Sequence, residues 1–308
     1  MFRRYRFVFF YLLVLIPALG AQQSQTATQQ QSQTATQQQP QIATQQQPQT
    51  ATQQHDQTEV FQPERRAFWE DFLRTAKVVK TKGLGTGITH PRRMTLTDGT
   101  VTHDAIFKTL DEFKRGITQM TSGVEIDLKD SYKFEIAAYE LDKILQINMI
   151  APTVFRTING EKGSIQYWID NAQLELERYK NNISPPNPEL WNRQMYTVRL
   201  FDALIYNFDR NLGNLLVTKE TRWWKLWMID HSRSFKTFST IFNAKDIDNS
   251  KIPRALWERI QTLELATLTE HLKPYLESNE IKAILKRRDA LTAQIQKLQA
   301  AKGETLFF

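Results

Sequence analysis

"IYNFDRNLGNLLV", residues 205–217, lies two-thirds of the way along a chain of 308 residues. Asp209 and Arg210 lead into Asn211, Leu212, Gly213 and Asn214, with apolar residues on both sides. Two readings fit the stretch alone. In one, Gly213 turns the chain at the end of a helix. In the other, the loop presents an acid and an amide five positions apart for chemistry. Upstream, "PELWNRQMYTVRLFDALIYNF", beginning at Pro188, predicts a long helix. Downstream, "KLWMID" (225–230) predicts a strand that ends in a second carboxylate, Asp230.

Further upstream the pattern is strand-rich. "AKVVKTK" (76–82) predicts a strand, and "GLGTGITHP" (83–91) a glycine-rich loop carrying Gly83, Gly85 and Gly87. "RRMTLTDGTVTHDAIFKTL" (92–110) predicts two strands joined at Asp98-Gly99, a strong hairpin signal. "SYKFEIAAYELDKILQI" (131–147) predicts a helix. "APTVFRTING" and "GSIQYWI" (163–169) predict two strands around an Asn159-Gly160 turn. Beyond Ile252 the pattern is helical to the end. The expectation is an α+β chain of two lobes, with a β-rich N-lobe over 66–169 and a helical C-lobe over 170–308.

Several chemistries have no residues to carry them. The chain has no cysteine, which removes disulfides, thiol nucleophiles and cysteine zinc sites. It has no G-x-x-x-x-G-K-[ST] loop, no G-x-S-x-G elbow and no H-E-x-x-H, and its five histidines are scattered. The formal net charge of +7 suits anionic ligands such as phosphates, and equally suits ordinary solubility. No nucleic-acid partner is expected.

Four features remain, each with a plain alternative. The glycines of 83–87 leave backbone bare for phosphate oxygens, or simply make a flexible turn. Lys108, inside an apolar strand run, requires an anionic partner or a route to solvent. Glu135 or Glu140, on the following helix, is placed to supply that anion, or else belongs to a solvated face. Phosphoryl transfer needs a carboxylate to receive the acceptor's proton and oxygen ligands for Mg²⁺. Asp209, Asn214 and Asp230 offer both. The order is restrictive: glycine loop, strand lysine, helix glutamate, D-x-x-x-x-N loop, strand-end Asp.

"DRNLGNLLV" resembles the D-R-x-x-x-N catalytic loop of phosphatidylinositol 3- and 4-kinases, and "IDHSRSF" resembles their metal-binding segment. "AIFKTL", "FEIAAYELDKILQI" and "APTV" resemble the corresponding region of secretory-pathway (Golgi casein kinase-like) protein kinases. The likeness runs from about residue 76 to 240. It implies a two-lobed protein-kinase-like fold that binds ATP with Mg²⁺ or Mn²⁺. Lys108 would contact the nucleotide phosphates and pair with Glu135, Asp209 would be the catalytic base, and Asn214 and Asp230 would hold metal. Gln166, Tyr167, Trp168 and Ile169, running on to Asp170, would form the hinge at the adenine. His231 and Ser232 stand where conventional protein kinases have Phe and Gly, and no A-P-E follows, so the implied enzyme is an atypical kinase. Its acceptor is a hydroxyl of a protein, lipid or small molecule. Two other functions stand beside it: an inert nucleotide-binding or interaction module, and a protein AMP-transferase that would use much the same residues.

The first residues suggest where such an enzyme works. Arg3, Arg4 and Arg6 precede an apolar run from Phe7 to Leu19, with Ala18 and Gly20 before Ala21. This is the pattern of a secretory signal peptide over 1–20, or of an uncleaved anchor. Four octapeptides follow from Gln25 to Asp56, the first "QTATQQQS". With almost no apolar mass they cannot offset the entropy of ordering, so 21–65 is expected to be a disordered Gln-rich tether. The enzyme is expected to be exported.

Overall fold

The computed structural model describes residues 63–85, 91–120, 123–219 and 223–308. The leader, the Gln-rich repeat and Gly87 lie outside the described residues. After a short 3-10 turn (Pro63–Arg65), α1 (Arg66–Thr75) turns directly into β1 (Lys77–Gly83), β2 (Arg92–Thr97) and β3 (Thr102–Lys108). The β2–β3 turn closes because Asp98 Oδ1 accepts from the N–H groups of Thr100 and Val101 at 2.8 and 2.7 Å. Gly99 there takes φ +96°, which a side chain would resist.

β6 (Thr153–Ile158) and β7 (Glu161–Tyr167) join these strands in an antiparallel sheet ordered β1-β2-β3-β7-β6. Strand alternation gives this sheet two different faces. Met94, Leu96, Ala105, Phe107, Val154 and Ile165 are buried on one face and form one apolar cluster with Trp69, Phe72 and Leu73 of α1. Arg93, Thr95, Asp104, Ile106 and Lys108 share the other face, fixed by the pairs Arg93–Ile106 and Thr95–Asp104.

Between β3 and the next helix lies a hairpin that the sequence pattern did not suggest, β4 (Asp111–Met120) with β5 (Gly123–Ser131). It leads into α2 (Tyr132–Leu145), whose first turn is capped by Ser131 Oγ accepting from Lys133 N at 3.2 Å. α2 is buried nearly all round, including Phe134, Glu135, Ala138 and Leu141. Such a helix belongs inside a fold rather than on its surface.

The second half is helical around a small sheet, β10-β9-β8. Its parts are β8 (Gln173–Leu174), α3 (Glu175–Lys180), α4 (Pro188–Ile205), β9 (Leu215–Lys219) and β10 (Trp224–Met228). The strand expected over 225–230 stops at Met228, and Asp230 takes φ +61°, a left-handed turn that no strand accommodates. Helices α5 (Ala244–Asp248), α6 (Arg254–Gln261), α7 (Leu265–Leu272) and α8 (Ser278–Lys302) close the chain. Arg287 of α8 is fully buried and donates to Leu204 O, Lys236 O and Phe238 O, each at 2.7 Å. The C-terminal helix therefore fastens the end of α4 to the segment after Asp230.

Candidate active site

Lys108 ends β3 on the polar face of the large sheet. Its Nζ donates to Glu135 Oε1 at 2.5 Å and to Asp230 Oδ1 at 2.9 Å. The choice left open by the sequence is thereby made: Glu140 pairs with Lys143 at 2.9 Å, on another side of α2. The second oxygen of Glu135 accepts from the His231 backbone N–H at 3.0 Å, so one carboxylate joins α2, β3 and the segment after β10. Burial opposes both charges, but each group outweighs it for the other. Lys108 is held above its ordinary pKa by Glu135 and Asp230, and Glu135 well below its own by Lys108. The pair is charged at neutral pH.

Lys108 keeps this position because β7 approaches β3 closely at Gly163. A Cβ there would stand 2.3 Å from Lys108 O and 2.8 Å from the Phe107 ring. Only glycine fits without moving a strand.

The loop of the opening stretch begins where Tyr206, at φ +55°, ends α4. Arg210 then holds it from behind. Its guanidinium donates to both oxygens of Asp202, at 2.9 and 3.1 Å, to Ile229 O at 2.7 Å and to Asn214 O at 2.5 Å. Asn207 Nδ2 also donates to Asp202 Oδ1 at 3.0 Å. These bonds fix the loop against α4 and β10 and leave Asp209 facing outward, its side chain 42% exposed. Burial raises the Asp209 pKa, the nearby Arg233 offsets part of that rise, and the Asp230 and Glu125 carboxylates add to it. A carboxylate shifted this way is a better proton acceptor.

Asn214 Nδ2 donates to Asp209 O at 3.0 Å, which leaves Oδ1 free of hydrogen bonds among the described residues. Asp230 turns its carboxylate back toward Lys108, and the buried Asp130 Oδ1 nearby has no partner among the described residues. This is an all-oxygen donor set, the chemistry of Mg²⁺ or Mn²⁺. Among the described residues no cluster of three or more acidic or histidine side chains forms a complete metal cage.

The remaining expected residues are distributed as follows. Gly83 ends β1, and Gly85 follows at φ +66° in open space. Gln166 lies beside Ile106 on the Lys108 face, with its Nε2 donating to Thr153 Oγ1 at 2.8 Å. Trp168 has both backbone groups engaged: its N–H donates to Asp104 O at 3.1 Å and its O lies 2.9 Å from His103 Nε2. Tyr167 is buried and stacks on His103.

Several participants escaped the sequence pattern. Arg210 and Asp202 form the clamp behind the loop. Glu125 of the β4–β5 hairpin pairs with Arg233 and, at 2.8 Å, with Lys236. Arg233 Nη1 in turn lies 3.7 Å from Asp209 Oδ2. The hairpin thus reaches Asp209 through Arg233, a contact between residues more than 100 positions apart that no local pattern signals.

No protein-family profile matches the sequence, and no curated protein matches it. Solved structures do match the fold. The structure of hydra Fam20 with sugar superposes with a TM-score of 0.63 at 16% identity, over 81% of this chain and 93% of that one. The Golgi casein kinase with Mn/ADP bound gives a TM-score of 0.59 at 13% identity, over 80% of this chain and 78% of that one. The fold is that of an atypical kinase, α+β in two lobes.

Proposed function

We propose that the chain is an atypical, metal-dependent phosphotransferase. It moves the γ-phosphoryl group of a nucleoside triphosphate, ATP in the family it resembles, to a hydroxyl on a protein, lipid or small molecule. The observation that carries the reading is the convergence on Lys108. A strand lysine, a helix glutamate and the carboxylate after β10 meet at 2.5 and 2.9 Å, with Asp209 and Asn214 on the adjoining loop. The bound Mn/ADP of the Golgi casein kinase supports the same cofactor pair here.

In this reading Lys108, fixed by Glu135, offers its ammonium to the phosphate oxygens. Asp209, presented by the Arg210 clamp, orients the acceptor hydroxyl and receives its proton. Asn214 and Asp230 would hold the divalent cation, which when bound neutralises charge on the phosphates. The intact Lys108–Glu135–Asp230 constellation favours an active enzyme over an inert module.

Intact-mass analysis after incubation with ATP and Mn²⁺, alone and with candidate acceptors, tests the chemistry. Added phosphate that disappears in Asp209→Asn, with a rate fall of about 10²- to 10⁴-fold, is expected. Added AMP, or a mass change that survives the substitution, would replace this reading. Export after cleavage near Gly20, with 21–65 as a tether, completes the proposal, and the N-terminal sequence of secreted protein tests it.

A further inference from the structure

The Glu135 carboxylate meets residue 231 twice. Its Oε2 accepts from the His231 backbone N–H at 3.0 Å, and the His231 side chain lies against the same oxygen, with Nδ1 at 3.4 Å. On α4, the Phe201 ring meets the imidazole edge-on, their centres 6.4 Å apart.

His231 is fully buried, and neither ring nitrogen has a hydrogen-bond partner of good geometry among the described residues. A buried polar atom left in this way costs stability, and an apolar ring of similar shape would avoid that cost. Packing alone therefore does not call for histidine here. The backbone restricts what the imidazole can do instead. Asp230 turns at φ +61° with its carboxylate at Lys108, and the next residue faces Glu135. A closed loop of contacts results: Lys108 bridges the two carboxylates, Glu135 meets residue 231, and the chain joins 231 to 230. A bare Nδ1 lone pair facing a carboxylate would be repelled, whereas an N–H there is attracted.

We infer that His231 is a positioning residue, whose Nδ1 carries a proton and donates it to Glu135 Oε2 beside the backbone N–H of the same residue. Two donors on one oxygen fix the rotation of the carboxylate. Through Oε1 they fix the Lys108 ammonium relative to Asp230. The ring itself, being fully buried, touches no nucleotide. The inference rests on the phosphotransferase reading and adds the group that holds its lysine–glutamate pair in place.

Two measurements test it. NMR of the full chain labelled with ¹⁵N-histidine reads the proton on the ring, the His231 signals being identified by their loss in His231→Asn. A protonated Nδ1 is expected, and a bare Nδ1 overturns the inference. This is read on the unaltered chain, so it decides even where a variant fails to fold. ADP release from ATP and Mn²⁺, with water as acceptor, then compares wild type with His231→Phe, His231→Gln and His231→Asn. Phenylalanine keeps a ring without a donor, the glutamine amide reaches the place of Nε2, and the asparagine amide reaches that of Nδ1. The Phe and Gln variants should lose about 10- to 100-fold in kcat with little change in KM. The Asn variant should recover most of that loss. Equal kcat in all four, or a loss in Asn as great as in Phe, overturns the inference and leaves the phosphotransferase reading standing. A wild-type chain that neither binds nor turns over ATP sinks both.

Discussion

Two cation–carboxylate pairs stand on the same sheet face, and their lengths do not distinguish them. Lys108 meets Glu135 at 2.5 Å, and Arg93 meets Asp104 at 2.5 Å. Their surroundings differ. The first pair is 15% and 3% exposed, the second 37% and 22%. An exposed pair is screened by water and contributes about 0–1 kcal/mol, whereas stranding one member of a buried pair costs roughly 3–5 kcal/mol. One face of one sheet thus carries a buried pair at Lys108 and a partly exposed pair at Arg93.

The largest effect should come from breaking the buried pair. Glu135→Gln is expected to lose roughly 3 kcal/mol of unfolding free energy, because Lys108 is left with Asp230 alone and His231 N–H loses a charged acceptor. Chemical denaturation measures it, and a loss below about 1 kcal/mol would erase the contrast between the two pairs.

Gly163→Ala should come next, at about 1–3 kcal/mol, since the new methyl would press on Lys108 O and the Phe107 ring. It should also slow phosphoryl transfer by displacing Lys108, although residue 163 touches no substrate in the proposed site. Unchanged stability and rate would mean that β7 can shift without consequence.

The pH dependence sharpens the comparison further. The Glu135 pKa in the fold lies below its ordinary 4.5, and that of Lys108 lies above its ordinary 10.5. The glutamate's contribution is complete above 4.5 and fades as pH falls through the depressed value, while the lysine's is complete below 10.5 and fades as pH rises through the raised one. The penalty of Glu135→Gln should therefore be flat between those limits and shrink at more acidic pH. A penalty that varied across neutral pH would contradict the charged pair.

Asp104→Asn should give the smallest change, about 1 kcal/mol or less. A loss matching that of Glu135→Gln would show the Arg93–Asp104 pair to contribute as much as the Lys108–Glu135 pair.

Much of the centre was legible in the sequence because its residues lie at helix and strand boundaries that local pattern reveals. The Asp98-Gly99 turn fixes β2 against β3 and so delivers Lys108, while the apolar period of α2 delivers Glu135. The residue pattern alone offered both Glu135 and Glu140, and only the kinase resemblance pointed to Glu135. The β4–β5 hairpin stayed hidden for a physical reason. A register shift between Lys114 and Ile117, with Gly116 at φ +83°, breaks the alternation by which strands are recognised. The need for glycine at 163 was equally invisible, because it depends on the distance between two strands.

The most direct test of the account is calorimetric titration of nucleoside triphosphate and Mn²⁺ into the wild-type chain and into Asp230→Ala. The account predicts saturable binding at one site that needs the metal and is lost in the variant, whose fold remains intact by circular dichroism. Binding that survives the substitution, or proceeds equally well without metal, would contradict it.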